Sequence, residues 1–563
     1  MKNAMELVFQ AIQKKNSSVL DELQVSSKAD TSYVFLSVSD FETRAKVTKG
    51  KGTNVSEAIK TAVENYLNHK PSDHEAKDIK LDVITEFAGV NEKNSSFDFS
   101  KGKVIYNSGV NGLMFGEDFE LVFSPQEVEC YGVVENRRIK RSRLNEALSN
   151  QLDSEITNVE KGLEIDNLYK FTTDSYYYDG EHYKELYRGN HAPESLSKKE
   201  ILESLKLTKN NYFRKVVNKK GKFNYNYLPA IDEKESRYNI LRHAGTMYSM
   251  LETYEITPGE KLLEKIKLAA DFLANSVEST EINGVQAKVL VERDVNKLGG
   301  NALAIVALAK YTTITKDEVY IPLMQELATW IKAVQNESGD FSIHKQIFST
   351  KEVTDFRSDF YNGEAILGLI RLYELDQNKD WLEVAEKATD FMVLDKNKDA
   401  TPDTIHHDHW LLYGIKNIDP HINDSKYYAH AVMMARSIMD SQYRSEEHPT
   451  EWIGGFPPQV GTLPKSVPVS CKTEGLCNVY HLAKKYKDDQ LASDLLDTIT
   501  HSVKFALQMQ LKPEKVMYFP NKRLTLGAFH NKFKSIELRN DFTQHNISSC
   551  IGLYKILKNK TGE

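Results

Sequence analysis

Cysteine is scarce: only Cys130, Cys471, Cys477 and Cys550 occur in 563 residues. Four are too few to staple so long a chain with a disulfide framework, and they fit a reducing compartment with buried thiols. Cys471 and Cys477 have five residues between them, outside the short spacing of most structural zinc pairs, so neither a metal nor another cofactor is expected. Long apolar runs are missing as well. No stretch reaches the ~20 residues needed to cross a bilayer. The opening "MKNAMELVFQAIQKKNSSV" breaks its apolar residues with Glu6, Gln10 and Gln13, unlike a secretion signal. These absences argue against membrane insertion and make a cytoplasmic protein the expectation. A basic excess is also lacking: 73 Lys and Arg face 80 Asp and Glu, a net charge of -7. The chain as a whole therefore offers no field for nucleic acid. Its one basic run, "NRRIKRSR" from Asn136, precedes a helix-like "LNEALSNQL" and reads as a solvated helix face.

What is present is a globular composition, 40% hydrophobic and 27% charged, divided into two parts of different periodicity. From about Tyr33 to Glu135 the signals are short and strand-like: "YVFLSVSDF", "IKLDVITEF", "GLMFG" and "FELVFS" are rich in Val, Ile and Phe. One helix interrupts them, "NVSEAIKTAVENYLN", with Asn54 or Ser56 as its cap and apolar residues at Val55, Ile59, Ala62, Val63 and Leu67. The order of strand, this helix, strand, then "SGVNGLMF" and "LVFSPQEV" resembles the AMMECR family of α+β domains over roughly Val34 to Leu148. The family's short cysteine-containing strand before the helix is replaced here by "ETRAKVTKGKGT", which has no cysteine. The resemblance implies no settled biochemical role.

The tyrosine-rich segment "TTDSYYYDGEHYKELYRGNHAPESLSKKE" marks a boundary. The expected organisation is an α+β domain over 1–165, a linker over 166–194 and an all-helical domain over 195–563. In the last of these a pattern repeats: "RHAGTMYSMLETY" from Arg242, "GGNALAIVALAKY" from Gly299, "YNGEAILGLIRLY" from Tyr361, "DHWLLYGIKNI" from Asp408, "EGLCNVYHLAKKY" from Glu474 and "HNISSCIGLYKIL" from His545. Amphipathic segments such as "EKLLEKIKLAADFLANS" and "DWLEVAEKATDFMVL" alternate with these nearly apolar ones. Segments with a polar face suit an outer layer, and those apolar all round an inner one. Six of each can close into a ring, the alternative being an open superhelix. Six hairpins so divided resemble the six-hairpin glycosidase superfamily, an (α/α)6 toroid.

In such a toroid the starts of the inner helices meet around one funnel, and that is where the chemistry-bearing residues stand. Arg242 and His243; Lys297 and Asn301; Arg357, Asp359, Tyr361 and Glu364; Asp408, His409 and Trp410; Lys472, Thr473 and Glu474; and Arg539, Asp541 and His545 are expected to converge. Each also has a structural reading: Asp359 or Asp541 as helix caps, His243 as a core histidine, Tyr361 and Trp410 as packing. The superfamily resemblance implies a carbohydrate-active enzyme, a glycoside hydrolase or lyase acting on an acidic sugar or a cell-envelope glycan. Glycoside hydrolysis needs two carboxyl groups, with Asp359 and Asp408 the first pair and Glu364, Glu474 and Asp541 in reserve. Epimerisation or isomerisation by two bases is the alternative, with His409 and His545. A non-catalytic glycan-binding or assembly factor is a third. Arg242, Arg357 and Arg539 favour an anionic sugar, His243, Asn301, Tyr361 and Trp410 complete the binding set, and the N-terminal domain is a candidate for a protein partner. "HHDHW" at His406 to Trp410 is the one local metal-like cluster, read as a rim hydrogen-bond network instead.

Overall fold

A computed structural model describes residues 1–25, 31–88, 97–98, 103–116, 119–159, 168–189, 196–422, 425–444 and 447–560. The N-terminal part is built on a seven-stranded antiparallel sheet. Its strands are β1 (Ser32–Ser39), β2 (Lys46–Gly52), β3 (Asp78–Ala88), β4 (Gly112–Phe115), β5 (Leu121–Phe123), β6 (Leu168–Tyr178) and β7 (Tyr183–Leu186). They lie in the order β2-β1-β3-β6-β4-β5, with β7 also paired to β6. The strands β6 and β7 fall inside the segment expected to be a linker. That expectation is corrected: "YKFTTDSYYY" pairs with β3 and β4 on its two sides, and its many tyrosines hid a central strand behind a polar composition.

Both faces of this sheet are covered along β1. Val34, Leu36 and Val38 pack with the helices Lys2–Lys14 and Val55–His69, whereas Phe35 belongs to the core that continues into the helical domain. Alternation along a strand sends successive side chains to opposite faces, so one strand serves two cores. The Val55–His69 helix starts as its sequence suggests, Asn54 accepting from the Glu57 N–H. The helical domain meets the other face through polar contacts: Tyr518 OH donates to Ser37 Oγ at 2.8 Å, Arg44 Nη1 to Tyr518 O at 2.7 Å and Ala45 N to Met517 O at 2.8 Å.

Six inner helices form the ring: Ile240–Ile256, Leu298–Thr315, Tyr361–Asp376, His409–Ile422, Ser466–Lys485 and Asn540–Lys560. Each packs on the next and the sixth packs on the first, so the ring is closed and the open superhelix is excluded. Five outer helices, Glu260–Ala274, Ile321–Ala333, Lys379–Asp390, Ser425–Asp440 and Asp489–Leu507, each follow and pack on an inner one. The sixth outer helix, Lys198–Thr208, comes first in the chain and packs on the last inner helix, which joins the two ends of the domain. Ser197 and Glu200 form a capping box that fixes its start. The inner helices need little amphipathicity because neighbours surround them; in Leu298–Thr315 every residue from Leu298 to Ala309 is buried. No described helix is long and apolar enough to cross a membrane.

Two inner helices begin earlier than their repeats suggest, the fifth at Ser466 and the sixth at Asn540. Pro468 in "SVPVSCKT" resembles a loop signal. In the first turn of a helix, however, proline forfeits an N–H that has no partner anyway. The consequence is that Glu474 lies two turns inside its helix rather than at the rim. The long stretch before the third inner helix is also partly ordered into a sheet: its Lys345–Ile347 strand pairs with Val295–Lys297, at the entrance of the second inner helix.

Candidate functional site

A cavity of about 380 Å³ opens where the inner helices start. Every inner helix contributes to its wall: Arg242 from the first, Leu303 from the second, Glu364 from the third, His409 and Trp410 from the fourth, Cys471 and Lys472 from the fifth, and Asp541, Gln544 and His545 from the sixth. Phe360 and Arg539, just before two of these helices, complete its polar and aromatic lining together with His407.

Two histidines face one another there, the rings of His409 and His545 having centroids 5.6 Å apart. Their environments differ. His545 Nδ1 lies 2.9 Å from Glu474 Oε1, and Tyr413 OH donates to Glu474 Oε2 at 3.2 Å. Burial opposes a charge on His545, but its contacts with Cys471 and Glu474 outweigh it and hold this imidazole well above its ordinary range, which favours the cation. His409 is also buried, its Nε2 makes no hydrogen bond, and burial together with the neighbouring His545 cation keeps it well below the ordinary range, hence neutral. Glu364, on the same wall, has a partnerless Oε2; burial first and Asp408 second raise its carboxyl well above the usual range, which favours the protonated form. The second inner helix comes very close here. A Cβ on Gly299 would stand 2.1 Å from Glu364 Oε2, so this approach requires glycine.

The opposite side is positive. Arg539 grips Asp541 with two bonds, Nε to Oδ1 at 2.6 Å and Nη2 to Oδ2 at 2.9 Å, and Arg242 Nε adds a third contact at 2.9 Å. Two guanidiniums thus share one carboxylate. Lys472 pairs with no carboxylate among the described residues, and burial lowers its ammonium to about 8. Trp410 presents an aromatic surface beside His409, with ring centroids 4.9 Å apart.

Several expected residues do not reach this cavity. Asp359 is exposed in the loop before the third inner helix, and Arg357 beside it donates to Phe341 O at 2.7 Å and pairs with Asp340. Asp408 is buried behind the wall and caps the fourth inner helix, Oδ1 accepting from Trp410 N at 2.9 Å and Leu411 N at 3.1 Å; burial raises its carboxyl to about 7. The Asp359 and Asp408 pair is therefore split between a surface loop and a helix cap. Asn301 holds the sheet beside the second inner helix, accepting from Leu290 N at 2.7 Å and donating to Asn296 Oδ1 at 2.9 Å. Tyr361 stacks on His344 at 5.8 Å between ring centroids, and Thr473 bonds back to Val469 O. Lys297 lines a smaller cleft beside Glu292.

His243 turns away from the cavity. Tyr238 OH lies 2.7 Å from its Nδ1 and Ala269 O 2.8 Å from its Nε2, with Phe223 and Phe272 packed against the ring. A neutral ring uses both nitrogens, accepting from Tyr238 OH at Nδ1 and donating to Ala269 O from Nε2, and burial lowers it to about 4. The unfolded chain takes up this proton near pH ~6.5 and the folded one only near 4, so this site loses stability as pH falls through that window. Denaturant titrations of wild type and His243→Gln should show the wild-type advantage shrinking between those limits. A constant difference would mean that His243 is charged in the fold.

Cys471 and Gln544 escaped the sequence reading. Cys471 sits one helical turn before Glu474 on a stretch that reads as loop, and Gln544 carries no charge to draw notice; only the early starts of the fifth and sixth helices bring them in.

No known protein family and no curated protein matches the chain. Among solved structures it is similar to a D-mannose isomerase, at 13% identity and a TM-score of 0.49, over 64% of this chain and 97% of that one. It is also similar to the cellobiose 2-epimerase from Bacillus thermoamylovorans B4167, at 13% identity and 0.49 over 64% and 100%. A third is the GH76A alpha-1,6-mannanase from Salegentibacter sp. HEL1_6, at 15% identity and 0.43 over 64% and 100%. The closed ring of six helix pairs rests on the helix contacts themselves, and no match supports the AMMECR resemblance of the N-terminal part.

Proposed function

We propose that the cavity is the active site of a sugar isomerase or epimerase, which moves a proton at a carbon next to a carbonyl. The observation that carries this reading is the pair of imidazoles facing one another with ring centroids 5.6 Å apart, one with an unpartnered Nε2 and the other held through Nδ1 by Glu474. His409, neutral and with Nε2 free, serves as base; His545, cationic and fixed through Nδ1 by Glu474, serves as acid through its other nitrogen. His409 takes the proton from the carbon as its C–H bond breaks, and His545 gives its proton to the carbonyl oxygen, leaving an enediol. Return of the proton from His409 to the neighbouring carbon, as the other enediol hydroxyl gives its proton to His545 and becomes the new carbonyl, gives the isomer; if the enediol first turns over in the cavity, return of the proton to the opposite face of the same carbon, with the original oxygen giving its proton back to His545, gives the epimer. Both histidines end the cycle as they began.

Trp410 suits the apolar face of a sugar ring or chain, and Glu364, as a protonated acid, is a hydrogen-bond donor to a hydroxyl. The excess of Arg242, Arg539 and Lys472 over Asp541 favours a sugar bearing a carboxylate or phosphate. The test is incubation with aldoses, ketoses, uronates and sugar phosphates in deuterated water. Deuterium should enter beside the carbonyl of one of them and should cease to do so in His409→Ala. Undiminished uptake in that variant would remove the pair from the mechanism.

Hydrolysis of a glycoside keeps one specific support, since a protonated Glu364 on the cavity wall is the form a general acid requires. Release of reducing sugar that is lost in Glu364→Gln, with no deuterium uptake, would replace the isomerase reading by this one. Binding to glycans without turnover of any kind would leave a docking surface, with the N-terminal domain open to a protein partner.

A further inference from the structure

The expectation of no metal came from residues close in sequence, where "HHDHW" was the only cluster. Folding assembles a different one. His409 from the fourth inner helix, Cys471 from the fifth and His545 from the sixth bring one donor atom each within 4.8 Å of one another. We propose that His409 Nε2, Cys471 Sγ and His545 Nε2 form a three-donor site for a thiophilic divalent cation of the zinc class, and that its occupancy and proton transfer by the same two imidazoles exclude one another.

Four features support the site. His409 Nε2 is buried without a hydrogen-bond partner in a residue only 6% exposed, an arrangement that costs stability unless something binds there. His545 has Nδ1 engaged by Glu474, and its Nε2 has a long 3.5 Å contact with Gln544 Nε2 that a cation in the cluster would displace. A carboxylate on the outer nitrogen is the usual support for a metal-binding histidine, because it sets both tautomer and ring orientation. The donors stand on three packed helices rather than on loops, and zinc with bonds of about 2.0–2.3 Å draws its donors to roughly 3.3–3.6 Å, a short closure from the observed spacing. Finally, the cluster lines the open cavity, so a fourth position is left for water.

On binding, the cation gives up hydration waters. The thiol proton and the proton on His545 leave to solvent, and three protein–metal bonds form. A coordinated imidazole has no lone pair to accept a proton and no proton on that nitrogen to give. The cation therefore acts as a reversible block of the reaction proposed above; this consequence rests on the isomerase reading, whereas the site itself does not.

The test is a titration of the full chain, stripped of metal by a chelator, with cobalt(II). One equivalent should bind with the near-ultraviolet charge-transfer absorption of a thiolate ligand, and zinc should displace it. Cys471→Ser should abolish that absorption, and both Cys471→Ser and His409→Gln should weaken binding at least tenfold, with melting curves confirming that each variant is folded. Lack of the absorption in the wild type, or affinity unchanged in both variants, would overturn the site. Deuterium uptake from the active sugar, followed as zinc is added, should fall in step with occupancy, and a rise would overturn the exclusion. Cobalt binding as described, in a protein that exchanges deuterium with no sugar, would sink the isomerase reading and the exclusion while leaving the cation site standing.

Discussion

Glu474→Gln is expected to lower the rate of proton exchange by about 10²–10⁴, the range that a positioned acid or base contributes, with little change in KM. Glutamine still offers an oxygen to His545 Nδ1, so the ring keeps its place. What disappears is the carboxylate that stabilises the imidazolium against the burial opposing it. The fraction of His545 carrying a proton at neutral pH then falls. Glu474 touches no substrate in this account, so the decisive readout is the pH profile. The limb due to His545 should move to lower pH in Glu474→Gln and vanish in His545→Gln, while the limb due to His409 stays. A uniform loss of rate at every pH, with both limbs in place, would mean that Glu474 only supports the local fold.

The second large effect concerns stability and lies at the seam between the sheet and the ring. Lys80 and Asp82, on β3, are both fully buried. Lys80 Nζ donates to Asp82 Oδ1 and, at 2.8 Å, to Gln126 Oε1, while Ser175 Oγ also reaches Asp82, and the Lys80 ammonium lies 6.0 Å from the Tyr518 ring centre of the helical domain. Lys80→Ala strips the counter-charge from a carboxylate that has no access to water, which costs about 3–5 kcal/mol for a buried pair broken on one side. The double change Lys80→Met with Asp82→Leu removes both charges and fills the space, so it should cost much less or stabilise. Urea midpoints of the three proteins decide the matter. A Lys80→Ala loss within about 1 kcal/mol, like that of a surface pair, would show that this pair is not held as two buried charges.

How much of the fold could be read in advance follows from which signals are local. The helix at "NVSEAIKTAVENYLN" carries both its cap, Asn54, and its buried stripe within 15 residues. The ring's inner and outer helices are likewise separable by eye, because being apolar all round and being amphipathic are properties of a single segment. The strand Leu168–Tyr178 was not legible: in space it lies between β3 and β4, both more than 50 residues away in sequence, and a serine and two tyrosines serve three of its buried positions. The start of the fifth inner helix was hidden for the opposite reason, a proline whose meaning depends on whether it falls before a helix or within its first turn.

The candidate site divides in the same way. Arg242, Glu364, His409, Trp410, Arg539, Asp541 and His545 were placed near one funnel by repeat position alone, and they line one cavity. Asn301 and His243 have the same proximity to helix starts and yet face elsewhere, because a shift of one or two residues turns a helical side chain by about 100° per residue; Asp359 and Arg357 stand in the loop before their helix, where helical spacing does not apply.

Periodicity could thus be read along the chain: short strands first, then alternating apolar and amphipathic helices with charged residues at the starts of the apolar ones. Whether those starts converge was decided by tertiary structure, since closure requires the sixth inner helix to find the first and the earliest outer helix to pack on the last inner one. Tertiary structure alone also decided that Glu474 supports His545 and that Cys471 meets two histidines from other helices. Periodicity is a property of neighbours along the chain. The protonation of His409 and His545 instead depends on burial and on charges brought within a few ångströms by residues some 60 to 135 positions apart in sequence, and electrostatic interactions are strong only at that range and out of water.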